Sequence, residues 1–254
     1  MLKAKLPSFF RYKTAKDLIR LGQDFDGGYL VSKSDVEKSE ALITLGLGFD
    51  WSFEKDFIKI KDVPIYAYDG YVGKDEYLKN ILKRSLSFYK FKELIKAIKI
   101  YFSYLKFFKG KQIHIRKNVS SEENKAFNFI TLESIFKKTG KNNLFLSIDI
   151  EGFEYRLMKS LIDNQEKITG LTIEIHDCDL HIDKIKKFLA EFSLPIVHIH
   201  VNNGSNVYKE TNNMPQILEL SFSRNAKLDD KFITPHKLDM PSFPEFEELK
   251  LIID

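Results

Sequence analysis

The segment from Leu144 to Glu154 reads LFLSIDIEGFE, an apolar strand that runs into three carboxylates around one glycine. In an open α/β sheet, ligands bind beyond the carboxyl ends of the strands, near the point where strand order reverses, so Asp149, Glu151 and Glu154 belong in or beside such a crevice. That placement marks a reaction centre. For Glu154 the preference for acids in a first helical turn favours a solvated residue held by the helix dipole. Asp149 sits between Ile148 and Ile150 at the strand end, and an acid there needs a partner or a chemical role.

Short apolar runs recur along the chain and must supply the scaffold: ALITLGL, VPIYAYD, QIHIRKNV, LFLSIDI, GLTIEIH, PIVHIHV and QILELSF. The first five are separated by helix-sized intervals, which predicts a parallel, doubly wound sheet. The last two are joined by a polar loop, Asn202 to Met214, with no room for a helix that would return the chain to a parallel start, so they should pair antiparallel. Five parallel strands with a closing antiparallel pair is the arrangement of the Rossmann-like methyltransferases, whereas a nicotinamide-binding domain normally finishes with a parallel sixth strand. Upstream, Ala15 to Leu21 followed by DFDGGYLV reads as a short helix, a tight Gly27-Gly28 turn and a strand.

With 254 residues and 43% hydrophobic content, the chain suits a globular protein with a real core, read here as one domain over 1–254. Its start, MLKAKLPSFFRYK, has no apolar run of signal-peptide length, and no segment reaches the uncharged stretch of about eighteen residues that a membrane helix needs. A cytoplasmic location is the expectation. Cys178 is the single cysteine, which excludes an internal disulfide and multi-cysteine metal sites and reads as a buried bystander thiol.

The first strand ends in Thr44-Leu-Gly46-Leu-Gly48-Phe-Asp50, and Ser52, Phe53, Glu54, Phe57 and Ile58 then begin an amphipathic helix. Glycines at that junction let a backbone approach a ligand closely. A dinucleotide fingerprint needs a third glycine, where this chain has Phe49, Asp50 and Trp51, so NAD and FAD are disfavoured. Asp69 closes the second strand about twenty residues after Gly48, the spacing of an acid that accepts ribose hydroxyls.

At these residues the chain resembles a known family. SIDIEGFE is similar to the D-x-E-G-x-E motif of FkbM-type S-adenosylmethionine-dependent methyltransferases, and the resemblance extends through DGGYLV, TLGLGFDWSFE, IYAYDG, LTIEIH, HIHVNNG and LELSF. It covers most of the chain from about Leu18 to Ser223 and leaves out one basic insert. The resemblance implies that Gly46, Gly48 and Asp69 hold S-adenosyl-L-methionine, with Asp26, Gly27 and Gly28 close to it. Two positions depart from the family pattern: Thr44 stands where many class I methyltransferases carry an acid, and Asp50 replaces the third glycine. The departures concern the contacts to the methionine end more than the identity of the cofactor.

The methyl acceptor is narrowed by elimination. An Asn/Asp-Pro-Pro-aromatic loop for base amino groups is absent after the fourth strand, and Cys178 lies in the acidic run HDCD, where carboxylates raise a thiol pKa and disfavour the thiolate needed for cytosine-carbon methylation. A sugar hydroxyl needs a general base or a metal that acidifies it. Asp149 and Glu151 end strand four while Glu174, His176 and Asp177 end the adjacent strand five, so either is available. Oxygen and nitrogen ligands of this kind suit Mg²⁺ or Mn²⁺, with Glu151, Glu174 and His176 as the metal candidates. His198 and His200 share one face of the sixth strand. His198 reads as a satisfied structural histidine and His200 as a candidate base, while Asn202 and Asn203 are candidates for hydrogen bonds to sugar hydroxyls.

Lys74 to Lys111 carries eleven Lys or Arg against three acids, a local excess of +8 within a net +4. Residues 75–110 read as two helices forming a basic cap over the crevice, with Tyr77, Phe88, Tyr89, Phe91, Tyr101, Phe102, Tyr104, Phe107 and Phe108 interleaved among the lysines. Such charge concentrates an anionic substrate such as a nucleotide-linked sugar or an acidic polysaccharide; the resemblance implies a nucleotide-activated sugar for surface polysaccharide. The resemblance implies O-methylation of a sugar hydroxyl as the expected function, with Asp149, Glu151 and His200 as the catalytic candidates. The alternatives are a non-catalytic binding module on the same fold and an RNA methyltransferase. No DNA partner or membrane contact is expected, and a homo-oligomer stays open.

Overall fold

The computed structural model describes residues 3–86 and 91–254. Its central sheet has seven strands, β1 (Ala41–Leu45), β2 (Ile65–Tyr68), β3 (Gln112–Ile115), β4 (Leu144–Ile148), β5 (Ile168–Ile175), β6 (Ile196–Val201) and β7 (Leu218–Ser223). Their spatial order is β3-β2-β1-β4-β5-β7-β6. Neighbours from β3 to β5 run parallel, and β7 is antiparallel to both β5 and β6. This is the Rossmann-like methyltransferase sheet expected from the apolar runs. Strand order reverses between β1 and β4, so the topological switch point lies at the ends of those two strands.

Helices α1 (Lys33–Lys38), α2 (Ser52–Ile60), α3 (Lys74–Ser85), α4 (Phe91–Phe107), α5 (Leu132–Thr139), α6 (Glu154–Asp163) and α7 (Ile182–Glu191) complete the fold. The central strands β1, β4 and β5 are buried along their whole length, which is why they read as largely apolar runs. Ile43, Leu45, Leu146 and Ile148 share a core with Ile135 of α5, Leu157 of α6 and Phe188 of α7. Alternation sends Leu42 and Phe145 to the opposite face, against Val36 of α1 and Phe53 and Phe57 of α2. Local signals set helix ends: Thr131 accepts the Ser134 amide at 3.2 Å to start α5, and Gly140 at φ 61° stops it.

The expected helix over Ala15 to Leu21 is instead a strand, Leu18–Leu21, paired antiparallel with Tyr29–Ser32. Leu18 and Leu21 are buried while Ile19 and Arg20 are half-buried, so four residues present the same apolar spacing as one helical turn. Pairing across the Gly27 turn decides between the two. The hairpin leans on β7, where the Ser221 hydroxyl donates to the Leu30 carbonyl at 2.6 Å. At the edges, Lys3–Leu6 pairs in parallel with Lys250–Ile253.

Between β2 and β3, α3 and α4 form the helical insert predicted after strand two. Phe88 and Tyr89 lie outside the described residues. Tyr77 and Tyr104 of the insert are buried with Leu47, Trp51 and Val72, so its apolar face packs beside the turn that follows β1. Among the described residues no helix is long and apolar enough to cross a membrane.

Candidate active site

The turn after β1 is built by close approach. Gly46 adopts φ 82°, and a Cβ there would collide with the carbonyl oxygen of Asp149. Only a glycine lets the ends of β1 and β4 abut, where the Asp149 amide donates to the Leu45 carbonyl at 2.9 Å. Gly48, at φ 55°, has open space where a Cβ would point. Asp69 holds this turn from β2: its Oδ2 accepts the amides of Leu47 and Gly48 at 3.0 and 2.9 Å, and its Oδ1 accepts those of Tyr71 and Val72, each at 2.8 Å. The acid expected to receive a ribose thus also fixes two backbone turns. From the insert, the Tyr77 hydroxyl donates to the Gly48 carbonyl at 3.0 Å.

These turns border a crevice of about 650 Å³, within the range of roughly 300–1,000 Å³ for small-molecule sites. Gly46, Gly48, Asp69, Asp26, Gly27, Asp149 and Glu151 all line it. Gly28 does not, and its Cα faces the Arg20 guanidinium and the Gln23 carbonyl. Several further lining residues were not foreseen from the sequence: Asn118, Val119, Phe129 and Phe153 form a mixed apolar wall, while Tyr29, Thr44 and Glu54 converge elsewhere in the crevice. Phe129 belongs to a two-residue strand, Phe129–Ile130, paired with Asn118–Val119 and too short to show a period in the sequence. Glu54 did leave a trace, as a charged residue between Phe53 and Phe57 on the buried face of α2.

At the ends of β4 and β5 the structure gathers one imidazole and four carboxylates. His176 Nδ1 lies 3.2 Å from Glu154 Oε1, while Nε2 lies 3.4 Å from Glu151, 3.7 Å from Glu174 and 4.0 Å from Asp149. Glu154 is fully buried and accepts the Ile150 and Gly152 amides at 3.1 and 3.2 Å, so it is not the solvated first-turn acid expected. Burial would depress the His176 pKa, but Glu154, Asp149 and Glu151 outweigh this and raise it. The Asp149 side chain keeps 42% of its surface accessible, yet desolvation raises its pKa to about 7 against the opposing pull of His176, helped by Glu151 and Glu154. The turns after both strands contain a non-glycine residue of left-handed conformation, Glu151 at φ 54° and Asp177 at φ 51°, a cost that concentrates at functional sites.

Asp149, Glu151 and His176 each place one ligand atom within 4.8 Å of the others. This donor set fits a small divalent cation, and the Glu154 contact to Nδ1 is the outer-shell support that a metal-binding histidine normally has. The expected third ligand, Glu174, is committed elsewhere: it accepts the Tyr29 hydroxyl at 3.2 Å and the Asn202 amide at 3.4 Å. Burial pushes its pKa up, and the facing Glu219 pushes it further.

Three expectations on the acceptor side change. His200 does not line the crevice: it is clamped between Glu219 at 3.1 Å and Glu248 at 3.3 Å. Burial alone would lower its pKa, but the two carboxylates raise it well above the usual histidine range, which suits a charged structural imidazolium and not a base. Asn203 donates to the Phe243 and Phe246 carbonyls and accepts the Phe243 amide, so its hydrogen bonds anchor the C-terminal segment. Asn202, likewise buried, is spent on Glu174 and the Gly204 amide. His198 is buried 2.9 Å from Asp239, and Cys178 is a buried free thiol.

A second hollow, of about 680 Å³, lies between α3 and α4. Lys79, Lys83, Arg84 and Lys96 line it, and it shares Phe49 and Tyr71 with the crevice. Lys79 and Arg84 pair with Glu76 and Glu93, whereas no carboxylate among the described residues pairs with Lys83 or Lys96.

No protein-family model matches the chain, and no curated protein matches it. Among solved structures it is similar to the fibrillarin pre-rRNA processing protein of Methanococcus jannaschii, at 12% identity and TM-score 0.37, with 76% of this chain and 70% of that one covered. An rRNA methylase from Streptococcus thermophilus gives 9% identity and TM-score 0.38 over 76% and 94% of the two chains. Precorrin-6y C5,15-methyltransferase from Geobacter metallireducens gives 10% and 0.35 over 84% and 94%. Likenesses at this level assign neither an activity nor a substrate.

Proposed function

We propose that the protein is an S-adenosylmethionine-dependent methyltransferase that methylates a sugar hydroxyl, with a nucleotide-activated sugar for surface polysaccharide as the substrate class. The observation that carries the reading is the crevice at the switch point, where the Gly46–Gly48 turn, the Asp69 carboxylate and the end of β4 with Asp149 and Glu151 meet. The resemblance to FkbM-type enzymes supplies the sugar.

Bound S-adenosylmethionine would supply an electrophilic methyl carbon on a positively charged sulfur. In this reading Gly48 gives the cofactor its backbone approach, and Asp69 shares its oxygens between the turn amides and the ribose. Asp149 would take the proton of the acceptor hydroxyl. Desolvation suits it to that role, since a base works best with a pKa near the operating pH. Glu151 and His176 orient the hydroxyl, or hold with Asp149 a Mg²⁺ or Mn²⁺ ion that would lower the hydroxyl pKa. The carboxylates around the site disfavour an RNA backbone there, while the lysines of the neighbouring hollow suit the diphosphate of a sugar nucleotide.

Transfer of a labelled methyl group from S-adenosylmethionine to a panel of nucleotide sugars, with an RNA arm and an EDTA arm, tests the reading. Labelled sugar nucleotide is the expected product. Labelled RNA alone would replace the acceptor, and cofactor binding without transfer to any acceptor would leave a binding module. Loss with EDTA and recovery with Mn²⁺ would show that turnover requires a divalent metal, for which Asp149, Glu151 and His176 are the candidate ligands.

A further inference from the structure

The end of β1 lacks the acid that many proteins of this fold carry there, since the position is Thr44. Another carboxylate reaches the same place from the next element. Glu54, in the first turn of α2, is 2% exposed, and its Oε1 accepts the Thr44 hydroxyl at 2.6 Å. Both residues line the crevice, together with Tyr29 and Phe53. Among the described residues no lysine, arginine or histidine forms an ion pair with Glu54. A buried carboxyl group that faces a cavity without a cationic partner is costly in its charged form, and a ligand cation relieves that cost.

Resting on the methyltransferase reading, we propose that Glu54, oriented by Thr44, is the carboxylate that receives the α-amino group of the cofactor's methionine. The acid is moved ten positions along the chain, from the strand to the following helix, and points back to where the strand acid would have stood. Thr44 then contributes directly, because its hydroxyl occupies Oε1 and leaves Oε2 for the ammonium group. The departure at Thr44 and the charge on the apolar face of α2 become two halves of one device.

Ligand binding should therefore be linked to ionisation of Glu54. In the free protein, burial raises its pKa to about 7; Thr44 and the backbone lower it, Asp50 raises it and Lys55 lowers it. Asp26, which also lines the crevice, is raised as well, chiefly by burial. Below neutral pH a ligand with an ammonium group must displace a proton that a ligand without one can leave in place. Because Asp26 titrates in the same direction, the diagnostic quantity is the difference between wild type and a Glu54 variant.

The test is calorimetric titration between pH 5.5 and 8.5 with S-adenosylhomocysteine and with 5′-methylthioadenosine, which keeps the adenosine and thioether but lacks the amino acid. Glu54→Gln should weaken S-adenosylhomocysteine by at least about tenfold at pH 8 and flatten its pH dependence. Affinity for 5′-methylthioadenosine should change by less than about twofold, which also shows that the variant is folded. Adding Thr44→Asp to Glu54→Gln should restore much of the lost affinity by returning the acid to the strand. Equal losses for both ligands, or unchanged S-adenosylhomocysteine affinity, would overturn the assignment. If wild-type protein binds neither ligand, the methyltransferase reading itself falls, and this assignment with it.

Discussion

His176 Nδ1 lies 3.2 Å from Glu154 Oε1, and this one contact fixes what the other ring nitrogen can do. With Nδ1–H donated to a fully buried carboxylate, Nε2 is turned to the oxygens of Asp149, Glu151 and Glu174. Rotating the ring to another partner would leave Glu154 in the core with only the Ile150 and Gly152 amides. Glu154 is thereby a positioning residue for the imidazole that faces the other acids.

Glu154→Gln should reduce turnover by about 10–100-fold, the usual cost of losing such outer-shell support. Affinity for S-adenosylhomocysteine should stay within a few fold, because Glu154 does not line the crevice. Separate binding and single-turnover measurements decide the matter. Full activity would detach His176 from catalysis.

Asp69→Ala should lower both cofactor affinity and the stability of the free protein. The carboxylate accepts four backbone amides, and leaving partly buried donors unsatisfied costs about 1–3 kcal/mol. Thermal unfolding with and without S-adenosylhomocysteine separates the two effects. An unchanged ligand-induced shift would mean that Asp69 only builds the turns.

Glu54 also predicts how the free protein responds to pH. Its pKa rises from 4.5 unfolded to about 7 folded, so the folded state binds the extra proton. The associated stability is fully present below about pH 4.5 and is lost as pH rises through about 7, a change on the order of 3 kcal/mol. Glu54→Gln removes this titration. The variant's melting temperature should gain on wild type between pH 5 and pH 8; a constant difference would show that the carboxyl group is not desolvated.

Much of this arrangement was legible in the sequence, and the failures have physical causes. The central strands stand out because they are buried along their whole length, and the antiparallel β7 follows from Asn202 to Met214, which leaves no room for a crossover helix. Leu18–Leu21 is too short for its period to distinguish a strand from one helical turn. His200 was misjudged because Glu248, one of its two partners, comes from a segment 48 residues away. Glu154 likewise finds a partner in His176, just after β5 and 22 residues away, which local capping rules do not see. Glu54 leaves only the trace of a charge between two phenylalanines, and its meaning requires the contact with Thr44 at the end of β1.

In the insert, Lys83→Gln with Lys96→Gln should raise the KM for an anionic sugar nucleotide several-fold and flatten its salt dependence, with kcat little changed. These two lysines have no carboxylate partner among the described residues, so their charge is available to a ligand. A change in kcat alone would place the insert in closure or product release and not in substrate capture.

The most direct measurement is titration of S-adenosylhomocysteine into the unmodified protein at pH 8, followed by calorimetry and thermal unfolding. Saturable binding at one site per chain, with a melting temperature that climbs with ligand concentration, is the predicted result. NAD should give neither heat nor shift. No binding of S-adenosylhomocysteine at millimolar concentration, or tighter binding of NAD, would contradict the account at its centre.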